Sequence, residues 1–216
     1  MPARTSPRKV PRQERSRLTV EAILDAAARV FERHGYAAGT TNRIAERAGV
    51  SIGSLYQYFP NKDAILVALV QRHLEEGVAV AGPVLAGLTA ERPPVDVAMR
   101  RLVEAMVALH RERPALHRVL FEEAPRPPAL RRRLDALEDA AVAAVSAYLR
   151  ERDDVGRDPE LAARMVARVV ETVTHELVLR PRGVAVDAYV DEAVVLLTAY
   201  LTTNRDTGVP SVTPEA

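Results

Sequence analysis

Residues 40–62, TTNRIAERAGVSIGSLYQYFPNK, constrain this chain more than any other stretch, because they encode two short helices joined by a turn of fixed geometry. Ile44, Ala45 and Ala48 recur at helical spacing, and Thr40 stands where an N-cap hydroxyl satisfies the first free amides. Gly49 supplies the left-handed residue that closes a helix C-terminus, and Val50 can then fold back onto the core. Ser51 opens a second helix, in which Leu55 and Phe59, four residues apart, are its buried stripe. So narrow a stripe on about two turns gives little stability alone, so the second helix must be held by the first. Ala45 is small enough to let the two cross closely, as in a helix-turn-helix.

The order T-x-x-x-I-A, A-G-V-S, G-S-L-Y-x-Y-F, N-K resembles the DNA-binding region of the tetracycline-repressor (TetR) family of bacterial regulators, over about Leu18 to Leu69. The resemblance implies an all-α fold, a three-helix DNA-binding head and a larger helical domain that binds an effector and dimerises, about nine helices in total. By its geometry the second helix of the pair offers Ile52, Gly53, Ser54 and Gln57, next to Ser51, to base edges, and Gln57 has the bidentate amide that pairs with adenine. Asn42 and Arg43 lie in the first turn of the preceding helix, where side chains and free amides meet phosphates or a nearby base. The resemblance adds a contact at Thr41 and Asn42, and phosphate contacts from Tyr56, Tyr58 and Lys62. A half-buried core role for Tyr58 stays open beside that contact.

Charge agrees with this placement. The whole chain has a formal net charge of +1, but residues 1–63 contain 11 Lys or Arg against 6 Asp or Glu. Positive charge therefore gathers around the pair of helices, as attraction to phosphates requires. The absence of cysteine excludes disulfides, thiolate zinc sites and cysteine nucleophiles. No apolar run reaches membrane-spanning length, so the expectation is a soluble, cytoplasmic protein without a membrane partner.

Four regions follow from the pattern: a basic arm over 1–12, the DNA-binding domain over 13–62, an effector-binding and dimerisation domain over 63–203, and a tail over 204–216. The arm, with Arg4, Arg8, Lys9 and Arg12, is either a solvated tail or a strand laid along phosphates or in a minor groove. Val20, Ile23, Leu24, Ala27, Ala28 and Phe31 form the face of a support helix that Gly35 stops. A fourth helix is expected over 62–80. Pro83, Gly87, Pro93 and Pro94 then mark a boundary region. Helical periods follow over 95–113, 114–122, 128–152, 158–180 and 186–203, and no alternating apolar run predicts a strand.

The middle helices offer the soft apolar surface of a small-molecule pocket of about 300–1,000 Å³, with Met99, Val103, Met106, His110, His117, Phe121, Tyr148 and His175 as candidate lining residues. His110 and His117 are separated by Pro114 and have no acidic neighbour at ligand spacing, so no metal site and no cofactor is predicted beyond an unknown small-molecule effector. Two late segments are apolar over more than one face, with Met165, Val169 and Val173 in one and Val190, Val194, Leu197 and Leu201 in the other. A helix of that kind is central to a domain or shared with a partner. In the family the last two helices pair with their copies across a two-fold axis, which makes these residues the predicted interface of a homodimer. No nucleophile elbow, phosphate-binding glycine loop or H-E-x-x-H motif points to an enzyme. The expected function is a dimeric repressor on palindromic double-stranded operator DNA, released by a small molecule. A ligand-binding or enzymatic helical domain with a vestigial helix-turn-helix, and a non-specific DNA-binding protein, are the alternatives.

Overall fold

The computed structural model describes residues 14–111, 113–178 and 183–203, and all its regular structure is helical, with no strand among these residues. The order is α1 (Glu14–Ala38), α2 (Thr41–Ala48), α3 (Ile52–Tyr58), α4 (Lys62–Glu91), α5 (Val95–Arg111), α6 (Pro114–Glu122), α7 (Pro128–Arg150), α8 (Pro159–Thr172) and α9 (Val186–Thr202). Six residues of π-helix, Val173–Val178, continue α8. The basic arm over 1–12 and the tail over 204–216 lie outside the described residues.

Most boundaries follow the punctuation of the sequence. Gly35, at φ 69°, kinks α1 where a stop was expected, and three further residues complete its last turn. Asn61 accepts a hydrogen bond from Ala64 N–H at 2.8 Å, and Asp158 accepts one from Leu161 N–H at 2.8 Å, so α4 and α8 each begin on a side-chain cap. Proline at the first position opens α6, α7 and α8, where a missing N–H costs nothing.

The main departure is α4. It was expected to end near Val80, with a boundary at Pro83, yet it runs on to Glu91 through Pro83. A proline inside a helix removes one backbone hydrogen bond and crowds the preceding turn, but neighbouring bonds and the packing of Leu88, fully buried, carry the helix past it.

The chain forms two compact units, 1–79 with 109–135, and 80–108 with 136–216. Residues 109–135, which the sequence reading places in the larger domain, pack in the unit that contains the helix-turn-helix. In the first unit Ile23, Ala27, Phe31, Ile44, Leu55, Phe59, Ile65 and Leu66 form one core, to which α6 adds Leu116, Val119 and Leu120. Ion pairs of Arg72 with Asp25 at 2.6 Å and of Arg113 with Glu32 at 2.9 Å tie α4 and the start of α6 to α1. In the second unit Met99, Val103, Tyr148, Leu149, Val166, Val194 and Leu197 pack into a separate core. Tyr148 donates its hydroxyl to Pro93 O at 2.7 Å, which satisfies the polar end of a ring otherwise inside that core. No helix among the described residues is long and apolar enough to cross a membrane.

Candidate nucleic-acid interface

Helix α2 is capped at both ends. Thr40 accepts from Arg43 N–H at 3.3 Å. Gly49, at φ 69° and ψ 26°, lets Val50 N–H reach Ala45 O at 3.0 Å and Gly49 N–H reach Glu46 O at 3.2 Å. These two bonds are a Schellman closure, which a side chain at Gly49 would strain. Ser51 then accepts from Ser54 N–H at 3.0 Å to open α3, and its hydroxyl lies 2.8 Å from that of Ser54. Ile44, Ala45, Leu55 and Phe59 are buried in one core with Phe31, as their spacing predicts.

Burial on one side decides what the other presents. Asn42, Arg43 and Arg47 of α2 are exposed, as are Ser51, Ile52, Gly53, Tyr56 and Gln57 across the turn and α3, while Ser54 is half-buried. Thr41 and Tyr56 meet hydroxyl to hydroxyl at 3.1 Å, which couples the two helices on their outer side. A Cβ added at Gly53 would meet only Ser51 Oγ at 3.9 Å, so nothing inside the protein requires glycine there.

Two residues expected at phosphates also serve the fold. Tyr58 is 9% exposed and belongs to the core of the first unit, so its ring is part of the frame that holds α3; the core alternative describes it. Lys62 is half-buried, and its ammonium donates to Tyr36 O at 2.7 Å and lies 3.9 Å from the centre of the Tyr36 ring. It thus caps the carbonyl end of α1, where a cation is favoured. Tyr36 in turn donates to Asp63 Oδ1, and burial, with the adjacent Asp63 carboxylate, pushes its phenol well above the usual range.

Gly39 is a residue the sequence reading passed over. A Cβ there would stand 2.5–2.8 Å from the Phe31 ring and 2.9 Å from Gly35 O, so only glycine allows α1 to turn into α2 at this distance. The signal was the G-T pair ahead of the cap, but only the fold shows which ring occupies the space.

The candidate effector residues fall in both units. Met99, Val103, Met106 and Tyr148 lie in or against the core of the second unit. His110, His117 and Phe121 belong to the first unit and surround His73 of α4, a residue the sequence did not single out. Pro114, expected to keep His110 and His117 apart, instead starts α6 so that their rings lie 4.4 Å apart. His175 is half-buried in the π-helical segment of the second unit. Of the residues assigned to a dimer interface, Val173, Val190, Val194, Leu197 and Leu201 are buried within the chain's own second core. Met165 is 44% exposed and Val169 is half-buried. The exposed apolar residues of α8 and α9 are instead Leu161, Met165, Val195 and Leu196.

Two closed caps, a buried inner stripe and an outward α3 define a helix-turn-helix protein of entirely helical architecture. Residues 23–69 match the bacterial regulatory proteins of the tetR family, and residues 94–201, half of the chain, match the tetracyclin repressor-like C-terminal domain. The chain belongs to the TetR family of transcriptional regulators. The HTH-type transcriptional activator FasR of Mycolicibacterium smegmatis is 34% identical over 114 residues, which are 53% of this chain and 48% of that protein. The chain thus spans about half the length of this relative. Among solved structures, the SmeT–triclosan complex aligns over 92% of this chain and 98% of that one, with a TM-score of 0.58 and 26% identity. FadR of Bacillus subtilis in complex with stearoyl-CoA aligns over 84% and 98%, with a TM-score of 0.62 and 20% identity.

Proposed function

We propose that the chain is a dimeric transcriptional repressor that binds a palindromic operator through α3 and is released by an apolar small molecule, with no catalytic role. The observation that carries this reading is the division of α3. Leu55, Tyr58 and Phe59 are buried and hold the helix from inside, which leaves Ile52, Gly53, Tyr56 and Gln57 on its outer surface. That surface has an amide for an adenine edge, a hydroxyl for a phosphate and a position without a side chain where backbone can approach DNA. Arg43 and Arg47 add positive charge alongside.

A single α3 of seven residues reads too few base pairs for an operator. A two-fold dimer places two such helices on successive major-groove faces, about 34–36 Å apart. Leu161, Met165, Val195 and Leu196, apolar and exposed on α8 and α9, are the surface we assign to that dimer. The effector site belongs to the second unit, among Met99, Val103, Met106 and Tyr148. An apolar ligand there favours the conformation in which this side-chain set parts, and release follows from its higher affinity for that state. An apolar effector is supported by the stearoyl-CoA and triclosan held by proteins of similar fold.

The test is fluorescence anisotropy with DNA from the region upstream of the coding sequence and with random duplex of equal length. A preference for the former of at least about a thousandfold, lost on addition of a long-chain acyl-CoA or a chlorinated phenol, is expected. Equal affinity for both duplexes overturns the operator reading, and a complex insensitive to both ligands overturns the apolar effector.

A further inference from the structure

His73 of α4, His110 at the end of α5 and His117 of α6 are all buried, and each offers a ring nitrogen within 4.8 Å of those of the other two. Their ring centres lie 4.2 Å (His73 to His117), 4.4 Å (His110 to His117) and 5.2 Å (His73 to His110) apart. All three belong to the unit that contains the helix-turn-helix. We propose that these three imidazoles form a binding site for a first-row divalent cation, zinc in particular, that fastens α4, α5 and α6 together.

Three observations converge on this site. Three imidazoles are a costly way to fill a core that leucine or phenylalanine would fill without polar atoms to satisfy. The donor set, three imidazoles with no thiolate in the chain, suits zinc, cobalt or nickel and does not suit calcium or magnesium. Glu76 Oε2 lies 3.6 Å from His73 Nδ1, so a carboxylate stands behind a candidate ligand, as it does behind many metal-bound histidines.

The geometry closes with small movements. Nitrogens bound to zinc at about 2.0–2.1 Å in a tetrahedron lie about 3.4 Å apart. The nitrogens here need approach by only about 1.4 Å at most, within reach of small side-chain rotations. A cavity of about 20 Å³ borders His73 on the side of Leu74, Phe121 and Arg126, so the cluster has open space at one of its three rings. Three histidines and a water are the coordination of an open zinc site. Sequence inspection misses it because the ligands come from three helices and a proline separates two of them.

The experiment uses the full chain, free of any affinity tag, stripped of metal with a chelator and titrated with cobalt chloride and, separately, by calorimetry with zinc chloride. One ion per chain, with the intense visible bands of tetrahedral cobalt, is expected, together with a higher melting temperature in zinc. H110Q and H117Q are each expected to weaken zinc binding by on the order of 100-fold or more, and E76Q by about 10–100-fold. Absence of saturable binding at one ion per chain, or of the tetrahedral cobalt bands, overturns the proposal. So does unchanged affinity in H117Q that retains helical circular dichroism. If a histidine variant fails to fold, the wild-type cobalt spectrum with the E76Q affinity decides the matter, since Glu76 is exposed and outside the core.

Discussion

Gly53 and Gly39 stand in opposite surroundings. At Gly53 the protein leaves room for a methyl group, and glycine in a helix costs roughly 0.5–1 kcal/mol relative to alanine. Gly53→Ala should therefore raise the melting temperature slightly while weakening operator binding, because the added carbon meets DNA; a variant that gains stability and keeps full affinity would remove Gly53 from the interface. At Gly39 the added carbon meets Phe31 and the backbone of Gly35, so Gly39→Ala is expected to destabilise the fold by about 1–3 kcal/mol in urea denaturation. Gln57→Ala should cost about 1–3 kcal/mol of specific binding and little on random duplex. Lys62→Ala differs in kind. Its ammonium caps α1 beside Tyr36, so the substitution lowers stability by about 1 kcal/mol and weakens specific and random DNA together, whereas a purely phosphate-binding lysine would leave the melting temperature unchanged.

At the scale of elements, α8 and α9 show what periodicity leaves undetermined. Both are apolar around more than one face, which signals two uses, but the pattern does not say which face turns inward. Val190, Val194, Leu197 and Leu201 pack into the second unit's core, and Val195 and Leu196, their immediate neighbours in sequence, turn outward. Successive residues on a helix differ by about 100°, so an assignment one residue off exchanges core for surface. Leu196→Glu is expected to shift sedimentation from dimer to monomer and to lower operator affinity, with the helical circular dichroism unchanged. Leu197→Glu should instead unfold the second unit, since it places a charge at a site 1% exposed. A dimer that survives Leu196→Glu moves the interface elsewhere. The continuation of α4 through Pro83 is the same lesson at a breaker: local propensity argued for an end, and the packing of Leu88 farther along the same helix held the helix together.

Across the whole molecule, residues 109–135 leave the second unit and join the helix-turn-helix. The soft apolar set proposed for an effector pocket thus has Met99, Val103, Met106 and Tyr148 in the second unit and His110, His117 and Phe121 in the first. If the effector binds in the second unit, Val103→Trp, which crowds the core beside Met99, should block release of operator by acyl-CoA while leaving operator affinity within about threefold, as read by anisotropy. Equal sensitivity to ligand in that variant would place the effector elsewhere.

From the sequence alone followed an all-helical chain, the boundaries of most helices, and the helix-turn-helix with its caps at Thr40, Gly49 and Ser51. These are local matters: a cap or a left-handed glycine is determined within three or four residues, and the spacing of Leu55 and Phe59 shows the inward face of a helix whose partner lies next to it in the chain. Only the tertiary structure decided that Lys62 turns onto Tyr36, that Tyr58 is part of the core, and that His73, His110 and His117 share one place. Each of these depends on contacts between residues distant in the chain, and helical periodicity holds no record of which distant helix a face will meet.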